Sequence, residues 1–484
     1  MKSLKRLLLI AVSACVILTA APVYAESATP AAKSSTPVTR IEDVMKLLQQ
    51  YLLWNVTEDE LVKAAIQGMI DYVDDPYTQY FTASEAQEFM NYINATDFEL
   101  GFYMKAVDSR IKITDVDKGS PAEKAGIQTG DFVVALNGIP VSVDNLVKVL
   151  YEQLPKGDKG TLKVEVRRGV SNYTYTLDLT KVEYPQVRTG LFADKIGYLQ
   201  LSSFGDRSVE EFDKGLADLR AKGMKSLIFD LRGNGGGDVE VAENIAKRFI
   251  KEGIFIFITD NTGEVYKDEL EGGTPIGVPV YLLVDEDTAS ASEMLAGMLQ
   301  DYGIAKVIGA NTYGKGVIQQ LHEFESDGAM LKLTTYEYFT PKGNVINDEG
   351  IAPDIEADDV FNQVLTAVRE AGASKFTVQL TQTAYTVNGV EFQGSVPVIR
   401  EKGKVYALAR VVAPLLGAKN EWKGGKEQTL NLIHDGKTVK FPLASGKALQ
   451  RNGLTYLDLS EVAKQFPSFI WKDASGTLTL TSAD

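Results

Sequence analysis

The chain has 484 residues, a net charge of −15, 24% charged and 44% hydrophobic residues, one cysteine and two histidines. Its length accommodates about three to four modules with real cores, and its acidity argues against nucleic acid and anionic membrane surfaces as partners. Loss of a leader containing Cys15 would leave no thiol, which excludes disulfide frameworks, thiol catalysis and cysteine-based zinc sites.

Residues 1–25 read as an export signal. Lys2, Lys5 and Arg6 form the basic start, residues 7–20 an apolar stretch too short for a good membrane span, and Val23-Tyr24-Ala25 a cleavage site. An uncleaved anchor, or lipidation at Cys15 after Val12-Ser13-Ala14, are the alternatives. The expected product is secreted or extracytoplasmic, with attachment to the membrane or cell wall as a further option. Residues 26–37, rich in Ser, Thr, Ala and Pro, read as a linker.

Residues 38–95 are mostly helical by pattern. Ile41, Val44, Leu47, Leu48, Tyr51 and Leu52 recur at helical spacing, as do Leu61, Ala65, Met69 and Tyr72. Asp75-Pro76 forces a turn, and a short helix is expected over 84–92. Residues 96–180 change to short strands: 110–116, 131–136 and 160–166, the last with Leu162, Val164 and Val166 on one face. One helical turn over 122–125 ends at Gly126, and a helix is predicted over 143–151.

Residues 181–372 alternate strand runs (196–201, 226–231, 278–284, 306–308) with helices (209–222, 239–250, 292–301), the pattern of a layered α/β domain. Residues 373–484 carry a repeat of small α+β type. Tyr406 and a helical run leading to Trp422 recur as Tyr456 and a run leading to Trp471, each followed by an alternating strand, 429–433 and 477–481. Two copies suggest an accessory module rather than a solenoid, which needs about three.

Three loops of the α/β domain carry candidate chemistry. Ser290 follows a strand and opens a helix, where backbone N–H groups can hold an oxyanion. The competing reading is a capping box, Ser290-x-x-Glu293. Lys315, between Gly314 and Gly316, is the base most available to a serine in a chain with so few histidines, provided burial favours its neutral form. Alone it reads as a solvated turn lysine. The stretch 230–238, Asp-Leu-Arg-Gly-Asn-Gly-Gly-Gly-Asp, exposes successive N–H groups suited to an anion, or is simply a tight strand-to-helix loop. All three follow strands, where active sites of α/β sheets form.

Together these stretches resemble the C-terminal processing peptidases, the tail-specific serine proteases. The matching segments are Ile196-Gly-Tyr-Leu-Gln-Leu-Ser-Ser-Phe204, Asp230-Leu-Arg with Gly236-Gly237, Thr288-Ala-Ser-Ala-Ser-Glu293 and Gly314-Lys-Gly-Val-Ile-Gln319. The resemblance implies a crotonase-like α/β peptidase core needing no cofactor or metal, with Ser290 as nucleophile and Lys315 as general base. It implies that Gln319 orients the lysine and that the N–H groups of Gly236 and Ala291 form the oxyanion hole. The family often has a polar-Asn-Pro/Ser segment where this chain has Gly233-Asn234-Gly235. Ser292 is the rival nucleophile, and His322 reads as structural.

Residues 96–180 resemble that family's PDZ domain, most strongly in Gly119-Ser-Pro-Ala-Glu-Lys-Ala-Gly-Ile-Gln-Thr-Gly-Asp131. The resemblance implies a groove that adds a peptide C-terminus as a strand and holds its carboxylate at Leu100-Gly101-Phe102, although Glu99 stands where the family usually has another glycine. Arg168 matches an arginine implied to couple ligand binding to catalysis, with Arg167 the adjacent alternative. The partners implied are proteins with accessible C-terminal tails, and a second copy bound through the N-terminal helices as a homodimer. The repeat module resembles the small domain at the N-terminus of some copper amine oxidases. No copper chemistry is carried over, since one histidine cannot build that site. Trp422 and Trp471 read as core packing or as sugar-stacking groups at a cell wall. A non-catalytic PDZ scaffold at the wall and a CoA enzyme on a crotonase-like fold remain as other classes.

Overall fold

The computed structural model describes residues 36–381, 384–394, 396–425 and 428–483. The predicted export signal, Cys15 and residues 26–35 of the linker lie outside the described residues. The chain up to Val73 is a unit of its own. It consists of helices Pro37–Tyr51 and Glu58–Val73. Pro37 sits in the first turn, where a missing N–H costs nothing, and Thr36 caps by accepting from the Thr39 N–H at 3.3 Å. Neither helix buries a residue, and Ile41, Val44, Leu47 and Tyr51 are all exposed.

From Asp74 onward the chain is one unit. Strand Gln79–Phe81 interrupts the stretch expected to be helical, because it pairs with Met330–Phe339, a contact invisible to local periodicity. Helix Ala83–Ile93 follows, closed by a capping box between Thr82 and Glu85.

The next module is an antiparallel sheet in the order Thr96–Phe98, Ser171–Glu183, Lys159–Arg168, Phe132–Leu136, Arg110–Val116, Phe102–Val107. Leu162, Val164 and Val166 are fully buried on one face, as their alternation predicts. Among the described residues, strand Phe102–Val107 is an edge, paired only with Arg110–Val116. The helix expected over 143–151 runs Leu146–Gln153, because the Asn145 side chain accepts from Ser142 N–H at 2.6 Å and holds a turn instead.

The α/β core is a six-stranded sheet ordered Ile355–Glu356, Ala305–Gly309, Val280–Val284, Ser226–Asp230, Ile196–Leu201, Val187–Leu191, parallel except for the last pair. Its strands alternate between two cores. Leu199, Leu227, Phe229, Leu282 and Val307 pack with helices Ser208–Ala221, Val239–Ala246 and Ala291–Asp301. Tyr198, Ile228, Leu283 and Ile308 face the other way, into a core continued by helix Val360–Glu370 and the last hundred residues. The C-terminal module therefore covers one face of the six-stranded sheet. The helix expected over 239–250 ends at Ala246, where N–H groups of Arg248 and Phe249 switch to carbonyls three residues back.

Both repeat copies have the same element order: strand, helix, tryptophan-bearing strand, strand. Their first strands, Lys404–Leu408 and Leu454–Asp458, pair with each other. Their last strands part company: Thr429–His434 pairs with Lys437–Pro442, Thr477–Ala483 with Lys375–Leu380. Trp471 packs against this core, while Trp422 is 40% exposed.

A second, antiparallel sheet beside the α/β core joins Gln79–Phe81, Val317–Glu323, Met330–Phe339, Gly253–Thr259 and Val265–Leu270. It supplies the lysine side of the site.

Candidate active site

Ser290 sits between strand Val280–Val284 and helix Ala291–Asp301 with φ 58° and ψ −121°, a conformation that L-residues rarely adopt. Such strain costs about 1–3 kcal/mol and persists only where the surroundings impose it. They do so here. The Ser290 N–H donates to Glu293 Oε2 at 2.8 Å, and the Glu293 N–H donates to the Ser290 carbonyl at 2.7 Å. Both halves of the predicted capping box are in place, although the Ser290 hydroxyl is not close enough to count as a capping hydrogen bond. Ser292, the rival, is fully buried and its hydroxyl donates to the Asn234 carbonyl at 2.9 Å.

Glu293 binds the lysine loop to the serine turn. Fully buried, its carboxylate also accepts from Thr312 Oγ1 at 2.6 Å, Gly314 N–H at 2.7 Å and Lys315 N–H at 2.9 Å. The fully buried Tyr338 hydroxyl adds a second brace, 2.6 Å from the Lys315 carbonyl and 3.2 Å from that of Ser290. Gly316 permits the loop to pass close to its neighbour: a Cβ there would lie 2.2 Å from Asn347 N. Burial first, and then the Lys332 ammonium, pull the Lys315 amine down to about 8, opposed by Glu293 and Asp75. The Lys315 ammonium lies 5.2 Å from the Tyr77 ring centroid.

Ser290, Lys315 and Gln319 line one cavity of about 410 Å³, with Gly235, Gly236, Gly237, Lys332 and the apolar side chains Phe89, Met90, Ile93, Met294, Ile318 and Leu321. Gln319 donates to Thr334 Oγ1 at 3.2 Å and not to Lys315. Among the described residues no hydrogen bond joins Lys315 to the Ser290 hydroxyl. His322, exposed on its strand, does not line this cavity.

The glycine loop is fixed from below. Asp230, fully buried, accepts from Tyr198 OH at 2.7 Å and from Arg232 Nε at 2.9 Å and Nη2 at 2.6 Å. Arg232 Nη1 reaches Gln363 Oε1 at 3.0 Å, tying the loop to helix Val360–Glu370. Thr288 Oγ1 donates to the Leu231 carbonyl at 3.0 Å, which links the serine segment to the same loop. Gly236, at φ 102°, abuts Ser290: a Cβ there would lie 2.9 Å from Ser290 Cβ and 3.1 Å from Ala291 N. Its N–H, expected to face an oxyanion, instead donates to Asn234 Oδ1 at 2.9 Å. The Ala291 N–H, in the first helical turn, has no partner among the described residues. Proximity of the two donors follows the expectation; the availability of the Gly236 donor does not, because the Asn234 side chain fills the concavity first.

Residues 195–357 match peptidase family S41, residues 112–157 a PDZ domain, and residues 18–85 the N-terminal domain of the activating protease CtpB. The chain is 35% identical over 306 residues to the carboxy-terminal processing protease CtpA of Bacillus subtilis, covering 62% of this chain and 65% of that protein. It is 31% identical over 324 residues to the carboxy-terminal processing protease CtpB of the same organism, covering 65% and 67%. The chain belongs to the carboxy-terminal processing protease family. It spans about two thirds of the length of these relatives. A solved photosystem II D1 C-terminal processing protease is 27% identical, with a TM-score of 0.43 over 68% of this chain and 90% of that one.

The PDZ domain of this processing protease places Leu100, Gly101 and Phe102 at the start of the edge strand, with Phe102 buried and Leu100 half-buried against the domain core. Gly101, at φ 77°, lets Ser120 approach closely, and its carbonyl accepts from Ser120 Oγ at 3.2 Å. Arg168 is held elsewhere: its guanidinium grips Asp131 at 2.7 and 2.8 Å and the Gly126 carbonyl at 3.0 Å. It touches neither Leu100-Gly101-Phe102 nor the cavity that Ser290 lines. Arg167 donates to Asn172 at 3.2 Å on the exposed side. Sequence reading missed Asn234, Lys332, Tyr338 and the bridging role of Glu293. Only the Ser-x-x-Glu spacing gave any signal, and it pointed to a helix cap. Among the described residues no group of His, Cys, Asp or Glu is placed to hold a metal ion.

Proposed function

We propose that this chain is a secreted or extracytoplasmic serine endopeptidase that engages C-terminal tails through its PDZ domain and cleaves them with a Ser290–Lys315 dyad. The observation that carries this reading is a strained serine at a helix start sharing one cavity with a lysine whose amine burial lowers to about 8. Ser290 Oγ attacks the peptide carbonyl as Lys315 Nζ takes its proton. The tetrahedral intermediate collapses to an acyl-enzyme, the leaving amine receives that proton, and water completes hydrolysis. Ala291 N–H is poised for the oxyanion. Gly236 N–H joins it once Asn234 releases it, so the arrangement is that of a resting enzyme. Gln319 acts as orienter in the active arrangement.

A cavity of about 650 Å³ between helix Ala83–Ile93 and the PDZ domain shares Tyr92, Ser202 and Ser203 with the catalytic cavity. It supports a route for a tail from the PDZ side to Ser290. The open edge Phe102–Val107 supports strand addition by the tail, and Arg168 couples occupancy to the core by leaving Asp131. Apolar side chains exposed along the N-terminal helices support a homodimer. A helix-flanked parallel sheet supports the crotonase-like description of the core. The duplicated strand-helix unit supports the likeness to the copper amine oxidase N-terminal domain and a place at the cell wall.

The test is cleavage of an unfolded reporter ending in an apolar tail, with a free or an amidated C-terminus. Cleavage favouring the free carboxylate is expected; tail binding without cleavage under any condition would leave a PDZ scaffold. Because the base form of Lys315 is needed, kcat/KM should rise with pH through about 8, the amine being protonated and idle below it. A flat profile between about pH 6 and pH 10 would remove Lys315 as the base. Gly236→Ala is expected to cut turnover at least about 100-fold, since its Cβ would strike Ser290 and displace the oxyanion donors. Unchanged turnover would remove that loop from the reaction.

A further inference from the structure

Among the described residues Lys332 is the one cationic side chain of the cavity lining that the reaction above does not use; Asp206 and Asp238 are its carboxylates. It lies in strand Met330–Phe339, opposite Gln79 on one side and Leu321 on the other. Its ammonium sits 5.2 Å from the Phe89 ring centroid and 5.5 Å from that of Phe81. It lines the same cavity as Ser290, Lys315 and Gln319. Among the described residues it forms no ion pair, and neither does Lys315.

A half-buried lysine with no counter-ion is costly, since burial penalises its charge. Two of them in one cavity also repel each other. We propose that Lys332 is a positioning residue of the peptidase reaction, a second ammonium without an ion-pair partner whose field favours the neutral, proton-accepting form of Lys315. The proposal rests on the Ser290–Lys315 reading. A lysine kept deprotonated by an adjacent cation, and so able to accept a proton, is a known physical device.

The surrounding charges permit it. Lys315 faces Glu293 from the helix after Ser290, Asp75 from the turn before strand Gln79–Phe81, and Lys332 from strand Met330–Phe339. Lys332 faces Asp75 and Lys315. Glu293 is saturated by four donors, three of them backbone N–H groups. Asp75 accepts from the Tyr77 N–H at 3.1 Å and from the Thr78 hydroxyl. Both carboxylates are thus committed to neutral donors, and neither forms an ion pair with either lysine. The Tyr77 and Tyr338 hydroxyls, raised above their ordinary range by burial first, stay neutral. Lys315 itself is pulled down by burial and then by Lys332, while Lys332 is lowered by burial.

The rival role for Lys332 is structural: a cation covering two aromatic faces that stabilises its strand. The two roles separate by pH. Lys332→Met keeps the apolar stem against Phe81 and Phe89 and removes only the charge. Its kcat/KM profile is expected to shift to higher pH, with about a three- to tenfold loss near neutrality and full recovery at alkaline pH. Lys332→Arg should restore the wild-type profile. A loss of equal size at every pH, or an unshifted profile, overturns the proposal.

A second measurement does not depend on turnover. In full-length Ser290→Ala protein, NMR titration of the Lys315 amine is expected to move upward by about half to one pH unit when Lys332→Met is added. An unmoved titration overturns the proposal whether or not any peptide is cleaved. A moved titration in a protein that never cleaves would sink the peptidase reading alone.

Discussion

Ser290→Ala and Lys315→Met are each expected to lower kcat/KM for a tail-bearing reporter by about 10⁴-fold or more, and the double variant by little more than either. Non-additivity is the decisive part, because a nucleophile and its base act as one unit. Folding should survive both changes. Ser290→Ala keeps the strained backbone and the Glu293 bond to the Ser290 N–H, so its Tm should stay near wild type. Lys315→Met should be more stable than wild type. The sign follows from the lowered amine: below about 8 the folded protein carries a buried charge that the unfolded chain holds in water. That penalty is relieved as pH rises through about 8 toward the ordinary lysine range, so the gain should be largest at low pH and shrink at alkaline pH. Additive losses would count against a dyad, and a stability change of the opposite sign would count against a buried amine.

Glu293→Gln is expected to be the most damaging conservative change outside the proposed dyad. The carboxylate is surrounded by donors only: the N–H groups of Ser290, Gly314 and Lys315, and the Thr312 hydroxyl. An amide offers one acceptor oxygen and sets its own N–H₂ against backbone N–H groups. Leaving buried donors unpaired costs about 1–3 kcal/mol each, so a total loss of about 3–5 kcal/mol is expected in denaturant unfolding. Turnover should fall at least about 100-fold even where the variant is folded, because the serine turn and lysine loop no longer share an anchor. Normal stability with normal turnover would show that the Tyr338 brace suffices. Thr312→Val, which removes one donor and keeps the volume, should be far milder.

The local elements of the core were legible because the two periodicities are plain. Strand Ile196–Leu201 and helix Ala291–Asp301 fall within a residue of where alternation and helical spacing put them. The ends of Leu146–Gln153 and Val239–Ala246 were not, since side-chain-to-backbone bonds and tight turns decide where a helix stops. Strand Gln79–Phe81 could not be seen at all, as its only reason to be a strand is a partner some 250 residues away.

Ser290, Lys315 and the glycine loop were legible as residues, and their meeting in one cavity follows from sheet order, which spacing does not encode. The amino-acid sequence by itself determined the chemistry available: a serine turn, one candidate base, a glycine-rich donor loop and a processing-protease identity carried by short motifs. Tertiary structure alone decided that Glu293 joins two loops, that Asn234 occupies the Gly236 donor, that Arg168 is held by Asp131, and that the C-terminal module roofs one face of the catalytic sheet. Local patterns report which face of an element is apolar or which turn a residue favours. Which buried donor meets which acceptor depends on chain segments brought together only when the cores close.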